Sequence, residues 1–295
     1  MIASLPTVST AELKKRLEHI VGERSPFSSP RQLAAVENYI EKEFESYGLS
    51  VESDTFTYWG RSYRNIIAYW GPSPHSSPTG RGSKGEGLII LGAHYDSVEG
   101  SPGADDNGSG VAVLLETAKI LSGLRLRSQL LFCAFNLEEL NMIGSTHFAK
   151  KLKAAGAKVR AMVSLEMVGF TDSKPGGQQY PVGLRWFYPD RGDFIGVVGN
   201  WRSTPLLRQF ARAMRQVHGL PVETLTVLGN GFLVPQVRLS DHSPFWDLGY
   251  PALLVTDTAF FRNPHYHGPS DTVETLDLDF MAKVCQGVVH AVLSL

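Results

Sequence analysis

The sequence predicts an α/β protein with a mainly parallel central sheet that is covered by helices on both faces. Apolar runs of strand length, such as 88–91 and 130–135, alternate along the chain with stretches of helical periodicity. Polar clusters follow directly on several of these apolar runs. In an open α/β sheet the carboxyl ends of strands are where sites lie, so this alternation predicts both the layers and an enzyme.

Two helices are predicted at the N-terminal end. The first follows Thr10 as the amphipathic stretch AELKKRLEHIV, with Thr10 as its cap. The second has Ser29 as its cap and Pro30 at its first position, where the missing N–H costs nothing, and Gly48 ends it. Both helices, about residues 10–48, are expected to pack on the same domain as the rest of the chain.

The remaining elements follow from the same patterns. Strands are predicted near 50–58, 63–69, 88–91, 130–135, 161–165, 194–198, 222–227 and 251–255, and helices over 143–155, 204–217 and 278–293. Between 71 and 87 lies a Gly/Ser/Pro-rich loop, which we expect to be exposed, mobile and without chemistry. The long aromatic loop 171–191 follows Glu166 closely, and we expect it to form a wall of the substrate pocket.

Composition excludes several classes of partner. The formal net charge of −1 gives no signal for nucleic acid or an anionic membrane, and no apolar run is long enough to span a bilayer. Two cysteines, Cys133 and Cys285, form no disulfide framework and are expected to be buried thiols. The first residues lack the apolar core of a signal peptide, so a cytoplasmic protein is expected, with secretion the alternative if the sequence is trimmed. Nothing indicates an oligomeric state.

Metal-ligating side chains recur at the predicted loops. They are His94, Asp106, the pair Glu138-Glu139, Glu166 and His267. Imidazole and carboxylate without thiolate suit zinc, with cobalt or manganese as substitutes. The set is larger than one catalytic zinc needs, and it is sufficient for two metals about 3.5–4 Å apart that share one carboxylate.

The motifs that carry these residues resemble those of the zinc aminopeptidase family M28, whose bacterial secreted members hold a pair of zinc ions. They are HYDS at His94, GADDNGSG at Asp106, LEEL at Glu138, SLEMVG at Glu166 and YHGPSDT at His267, in the family's order. The resemblance implies one domain over residues 1–295, with a mixed sheet of about eight strands between helices. It also implies a peptide hydrolase that uses two Zn²⁺ per chain and removes N-terminal residues.

The resemblance also implies a role for each ligand. Asp106 would bridge the two metals, His94 and Glu166 would complete one site, and Glu139 with His267 would complete the other. Asp106 is favoured over Asp105 by its place in the loop motif, and the peptide bond after Asp106 is expected to be cis.

The reacting residues are carried over in the same way. Glu138 would be the general base that takes a proton from metal-held water and returns it to the leaving amine. Asp96 would accept a hydrogen bond from the second nitrogen of His94 and so fix its tautomer. Tyr266 would donate its hydroxyl to the developing oxyanion.

Two positions depart from the family pattern. Leu137 stands where Gly is usual, so the loop before Glu138 is expected to turn without a positive φ. Glu166 stands where Asp is frequent, and the longer side chain is expected to alter the geometry or affinity of its site. Both changes bear on metal preference more than on activity.

The residues that bind substrate are less defined. Candidates are Asp241 and His242 in the SDH motif together with the aromatic Phe245 and Trp186; Phe187, Tyr188 and Phe232 are further aromatic candidates. Carboxypeptidase or dipeptidase activity stays open on the same scaffold. Two rival functions also stay open: a single-zinc glutaminyl cyclase, and a peptidase-like binding domain without catalysis.

Overall fold

The computed structural model describes residues 7–70, 87–122, 124 and 128–295. Its centre is a sheet of eight strands in the order β1-β2-β4-β3-β5-β8-β6-β7. The strands are β1 (Ser50–Tyr58), β2 (Arg61–Tyr69), β3 (Leu88–His94), β4 (Leu130–Phe135), β5 (Val159–Glu166), β6 (Ile195–Asn200), β7 (Val222–Val227) and β8 (Ala252–Thr256). The predicted strands are thus all present, with bounds shifted by a few residues.

The sheet is mixed and mainly parallel, as predicted. Strands β4, β3, β5 and β8 run parallel to one another in the middle of the sheet, and β6 and β7 form a further parallel pair. The pairs β1–β2, β2–β4 and β6–β8 are antiparallel. Because four neighbouring strands point the same way, their carboxyl ends form one edge at which loops from distant parts of the chain meet.

Helices cover both faces of the sheet. They are α1 (Thr10–Ile20), α2 (Pro30–Ser46), α3 (Gly110–Ser122), α4 (Ile143–Ala154), α5 (Thr204–Met214), α6 (Ser243–Asp247) and α7 (Leu278–Ser294). Apolar side chains of α1, α2, α3, α5 and α7 form one continuous core with one face, while α4 and α6 pack on the other face. The N-terminal helices therefore pack into the same core as the C-terminal helix.

The caps of the first two helices differ from the prediction in detail. Ser9, not Thr10, caps α1, and its hydroxyl accepts the backbone N–H of Glu12. Ser29 precedes α2 but its hydroxyl donates to Glu23 at 2.9 Å instead of capping the helix. The reason is geometric, because Glu23 offers a charged acceptor beside the helix start.

Two further expectations concern the loops. The Gly/Ser/Pro-rich loop at 71–87 falls outside the described residues except for Gly87. The aromatic segment forms a strap over residues 172–192, whose two ends are joined by backbone hydrogen bonds between Asp172 and Gly192. No helix among the described residues combines the length and the hydropathy that a membrane span needs.

Candidate metal centre

The five predicted ligands converge at the carboxyl edge of the parallel strands. His94 is the last residue of β3, Glu166 is the last residue of β5, and Glu139 lies just beyond the end of β4. Asp106 lies at a kink in the segment Ala104–Ser109 that leads into α3, and His267 lies in the loop after β8. Residues that are far apart in the sequence thus share one site because the parallel strands end together.

The ligands form two groups that share one carboxylate. In the first group, Nε2 of His94 lies 3.3 Å from Oδ1 of Asp106 and 3.3 Å from Oε1 of Glu166. In the second group, Nε2 of His267 lies 3.1 Å from Oδ2 of Asp106 and 3.2 Å from Oε2 of Glu139. Asp106 therefore presents one oxygen to each group, as a bridging carboxylate does.

The spacing of these donor atoms fits metal ions. A tetrahedral ion with bonds of about 2.0–2.1 Å separates neighbouring ligand atoms by roughly 3.3 Å. Each group places its three ligand atoms within 4.8 Å of one another. In addition, Oε1 of Glu139 is buried and has no hydrogen-bond partner in the described structure, so a cation beside it would satisfy this atom. The donor set, imidazole nitrogen with carboxylate oxygen, is the set that zinc takes in catalytic sites.

The charges around the site favour a cation. Burial raises the pKa of Glu139 to about 7, with a further contribution from Asp106. Burial lowers the pKa of His267, but its hydrogen bonds to Asp106 and Glu139 outweigh this and raise it to about 10. Buried carboxylates that are so close together repel one another, and a bound cation relieves that repulsion.

Comparison with known proteins identifies the family. The profile of peptidase family M28 matches residues 65–292. The chain belongs to peptidase family M28. The predicted family and the predicted peptidase class are thereby confirmed. The chain is 36% identical over 98% of its length to the uncharacterized protein YfbL of Escherichia coli, of which it covers 90%.

Other M28 relatives carry names that describe an activity. The chain is 31% identical to a probable leucine aminopeptidase of Arthroderma otae over 68% of its own length, and it spans about half, 52%, of that relative. Among solved structures, the Legionella pneumophila aminopeptidase LapA has a TM-score of 0.72 at 20% identity, over 97% of this chain and 71% of that one. The glutaminyl cyclase of Porphyromonas gingivalis has a TM-score of 0.67 at 22% identity, over 98% of each chain. These two structures show that the fold is shared.

Asp96 contacts the second nitrogen of His94, and it also holds the turn that carries Glu138 and Glu139. The Nδ1 of His94 lies 3.2 Å from the backbone carbonyl of Asp96 and 3.5 Å from its Oδ1, so the carbonyl is the nearer acceptor. The carboxylate of Asp96 also accepts the backbone N–H groups of Glu138 and Glu139, at 3.1 and 3.2 Å. Either contact of Nδ1 leaves Nε2 of His94 free to face the site.

Asp271 holds the loop that carries the bridging carboxylate. Its two carboxylate oxygens accept the backbone N–H groups of Asp105 and Asp106, at 2.9 and 3.1 Å. Asn263 donates to Oδ2 of Asp105 at 2.7 Å and so holds the same loop through a side-chain contact. The peptide bond between Asp106 and Asn107 is cis, as the resemblance implied.

Ser240 is a further contact of the site that the sequence analysis missed. Its hydroxyl donates to Oε2 of Glu166 at 2.8 Å, which leaves Oε1 of that glutamate for the His94 group. The neighbouring Asp241 is completely buried, and burial raises its pKa to about 7. The SDH motif pointed to this segment, but its serine was not singled out.

Glu138 is placed beside the first ligand group. Its Oε2 lies 3.8 Å from Nε2 of His94, and its side chain is 11% exposed. Burial raises the pKa of Glu138 well above its usual value, and the carboxylates of Glu166 and Asp241 add to the effect against the opposing His94. A raised pKa makes this carboxylate a stronger proton acceptor than an exposed glutamate side chain.

The loop before Glu138 corrects one expectation. Leu137 has a φ of +56°, so the turn does use the left-handed region although no glycine stands there. Leu137 is completely buried, and its apolar contacts offset the roughly 1–2 kcal/mol that this conformation costs a residue with a Cβ.

Tyr266 is adjacent to the second ligand group. Its ring stacks on the ring of His267, with centroids 3.8 Å apart and planes inclined by 18°. Burial and the carboxylates of the site, Asp106 first among them, raise its pKa, so the phenol keeps its proton and stays a donor.

A pocket of about 110 Å³ lies under the strap, and we call it the strap pocket. Its walls include Gln178 and Tyr188 of the strap, Thr256 of β8 and Phe260 after β8. Thr256 is the direct neighbour of Glu166 across the β5–β8 pair, so the pocket begins beside the first ligand group. The strap therefore forms a wall of a pocket next to the site, with Tyr188 among its lining residues.

The other substrate-binding candidates lie elsewhere. Phe245 is completely buried in the core under α6, and Trp186 is 78% exposed at the tip of the strap. Neither of them lines the strap pocket. His242 is also buried, and its Nε2 contacts the carbonyl of Val237 at 2.8 Å while its ring packs edge-on against Trp246. The residue type alone did not distinguish a core position from a pocket position.

Proposed function

We propose that this chain is a di-zinc metallo-aminopeptidase that hydrolyses the bond after the N-terminal residue of peptides. The observation that carries the proposal is the position of Asp106, which faces two separate histidine–carboxylate groups with one oxygen each. Membership of peptidase family M28 supports the reaction class. The name of the relative from Arthroderma otae, probable leucine aminopeptidase, supports removal of N-terminal residues.

Two residues beside the ligands have different roles in the proposed reaction. Bound zinc would lower the pKa of a water molecule to near 7 and polarise the scissile carbonyl. Glu138 would accept the proton of that water and return it to the leaving amine, because its side chain is close to the first ligand group and burial raises its pKa toward that of the water. Tyr266 donates a hydrogen bond toward the oxyanion, since its phenol remains protonated.

The surroundings of the site favour a free amino terminus. The carboxylate of Glu138, which is not among the ligand atoms, lies in the same small volume and would attract the ammonium group of a peptide. The side chain of the N-terminal residue then enters the strap pocket, which is lined mostly by apolar atoms and begins beside Glu166. Desolvation of that side chain contributes to binding in proportion to its apolar area.

A glutaminyl cyclase is the rival that deserves a direct test, because an enzyme of that name shares the fold. That reaction would use one zinc and would form a ring from the substrate's own amino group. The presence of both ligand groups favours two metals and hydrolysis by water.

The deciding experiment combines metal content with hydrolysis. Purified protein would be analysed for zinc and then assayed with a panel of aminoacyl-p-nitroanilides, with and without a chelator. About two zinc ions per chain and chelator-sensitive release of nitroaniline are expected. One zinc without release, together with cyclisation of an N-terminal glutamine, would replace the proposal by the rival. No bound zinc after addition of the metal would leave a binding domain.

A further inference from the structure

A row of four directly paired residues crosses the floor of the strap pocket. Glu166 of β5 pairs with Thr256 of β8, Thr256 pairs with Gly196 of β6, and Gly196 pairs with Glu223 of β7. All four residues project to the same face of the sheet, because directly paired residues share a face. Three strand spacings, roughly 14 Å between backbones, separate the metal ligand from Glu223.

Gly196 leaves the middle of this row open. It has no side chain, and a Cβ at this position would lie 3.2 Å from the carbonyl oxygen of Thr256. The floor between Thr256 and Glu223 is therefore bare backbone, and a long substrate side chain can lie over it. The same row places Glu223 at the end of the pocket that is farthest from the ligand Glu166.

Glu223 is the single charged residue among those that line the strap pocket. Apolar side chains and uncharged polar side chains make up the rest of the lining. A partly buried carboxylate at the end of an apolar pocket has lost part of its hydration, which it recovers when a cation binds there.

No protein donor in the described structure pairs with this carboxylate. The two nearby phenols are directed to other acceptors: Tyr188 donates to the carbonyl of Thr224 at 2.9 Å, and Tyr180 donates to the carbonyl of Pro189 at 2.6 Å. Burial raises the pKa of Tyr188, and the proximity of Glu223 raises it further. Thus Glu223 lies near both tyrosines while its charge stays available to a ligand.

We propose that Glu223 is a specificity-determining residue that selects peptides whose N-terminal residue is lysine or arginine. The aliphatic part of such a side chain packs over Gly196 and between the apolar walls, and its cationic end meets the carboxylate of Glu223. The faces of the two tyrosine rings add a favourable surface for the cation. This inference rests on the proposed aminopeptidase function and adds the substrate class to it.

A purely structural role for Glu223 makes a different prediction. β7 is an edge strand of the sheet, and charged residues on edge strands protect against pairing with other chains. In that role the charge would affect solubility, and replacement by glutamine would leave substrate preference unchanged. Substrate pairs that differ only in charge therefore distinguish the two roles.

The test uses the zinc-loaded protein and matched p-nitroanilides. Arginine is compared with citrulline and lysine with norleucine, and leucine serves as the neutral reference. For the wild type, kcat/KM is expected to be about tenfold higher for each basic residue than for its neutral counterpart. Glu223→Gln should remove this advantage while the ratio of kcat/KM for norleucine to that for leucine stays the same, whereas Glu18→Gln, an equal charge change on the exposed face of α1, should leave the basic preference unchanged.

The outcomes separate the two levels of the proposal. If the wild type cleaves leucine and norleucine at least as well as lysine, or if Glu223→Gln lowers all substrates equally, the assignment of Glu223 is overturned while the aminopeptidase function stands. If no aminoacyl substrate is cleaved by zinc-loaded protein, the proposed function fails and this inference fails with it. If high salt reduces the preference for basic residues in the wild type but does not change the substrate preference of Glu223→Gln, the charge contact is supported.

Discussion

The carboxylate of Asp96 accepts the backbone N–H of Glu138 at 3.1 Å, and its other oxygen accepts the N–H of Glu139 at 3.2 Å. One residue of the β3 end thus fixes both the proposed base and an adjacent metal ligand. Asp96 is completely buried, so these bonds are shielded from water. The acidic side chain is needed because only a carboxylate can accept two N–H groups without presenting a donor to either of them.

Asp96→Asn is expected to weaken zinc binding about 10- to 100-fold, because its amide group faces one of the two N–H donors and shifts the Glu138-Glu139 turn. Zinc affinity is measured by competition with a chromophoric chelator. Activity at saturating zinc should recover in part, since the base itself is retained. Unchanged affinity would mean that the turn is held by its other contacts.

Replacement of Glu138 and replacement of Glu139 are expected to have different effects on the enzyme. Glu138→Gln should lower kcat by about 10²–10⁴-fold with normal zinc content, because it removes the proton acceptor but no ligand. Glu139→Gln should lose zinc from the second group, since Oε2 of Glu139 is one of its three donor atoms. Elemental analysis and steady-state kinetics on the same preparations check this. Equal zinc loss in both variants would make Glu138 a ligand as well.

Zinc binding is expected to release protons at pH 7.5. Before the metal binds, neighbouring carboxylates raise the pKa of His94 well above its usual value and that of His267 to about 10, in both cases against the opposing effect of burial. Each imidazole must lose its proton to become a ligand, so about two protons per chain should be released and affinity should rise with pH. Calorimetry in two buffers of different ionisation enthalpy measures this number. Heats that do not depend on the buffer would contradict it.

Residues at strand ends could be predicted from the sequence because their signal is local. An apolar run followed by His94, or by Glu138-Glu139, marks both the strand and the point at which it ends. The parallel order of the strands then brings these ends together without any knowledge of tertiary contacts. Three of the five predicted ligands, His94, Glu139 and Glu166, have this local signal, whereas Asp106 and His267 lie in longer loops and were assigned by motif resemblance.

Apart from Asp96, which is local to His94, the residues that support the ligands could not be predicted, because their contacts span large distances along the chain. Asn263 and Asp105 are 158 residues apart, and no sequence pattern near either residue predicts their hydrogen bond. The completely buried Arg24 donates to backbone carbonyls on both sides of the site, among them those of Tyr95 and Gly103, yet it is an isolated arginine in an N-terminal loop. Such residues become visible only when the packing is known.

The prediction of the residues that line the substrate pocket was incomplete for a related reason. An aromatic residue suits a core, a pocket or an exposed loop tip equally well, and Phe245, Tyr188 and Trp186 occupy these three places. Glu223 went unnoticed because a lone glutamate in a strand usually lies on a solvated face. Its significance comes from the sheet register, which aligns it with Glu166.

The buried His242 is expected to make the protein less stable in acid. Burial lowers its pKa to about 3, so the folded protein keeps this imidazole neutral at pH values where the unfolded chain, with a pKa near 6.5, takes up a proton. Between pH 6.5 and 3 the unfolded state therefore binds more protons, and the free energy of unfolding falls as pH falls. The contribution is fully present above pH 6.5, and its loss is about 1.4 kcal/mol for each pH unit within that window.

Urea unfolding of His242→Gln and of the wild type at pH 7 and pH 5 checks this, with a chelator in every sample so that zinc release does not contribute. The variant should be less stable at pH 7, because glutamine replaces the edge-on contact with Trp246. The difference should shrink by about 2 kcal/mol at pH 5, since glutamine has no proton to gain. His19→Gln, which removes an imidazole from the exposed face of α1, provides the matched control. If the free energy of unfolding falls by the same amount from pH 7 to pH 5 in the wild type and in His242→Gln, other groups cause the loss of stability in acid.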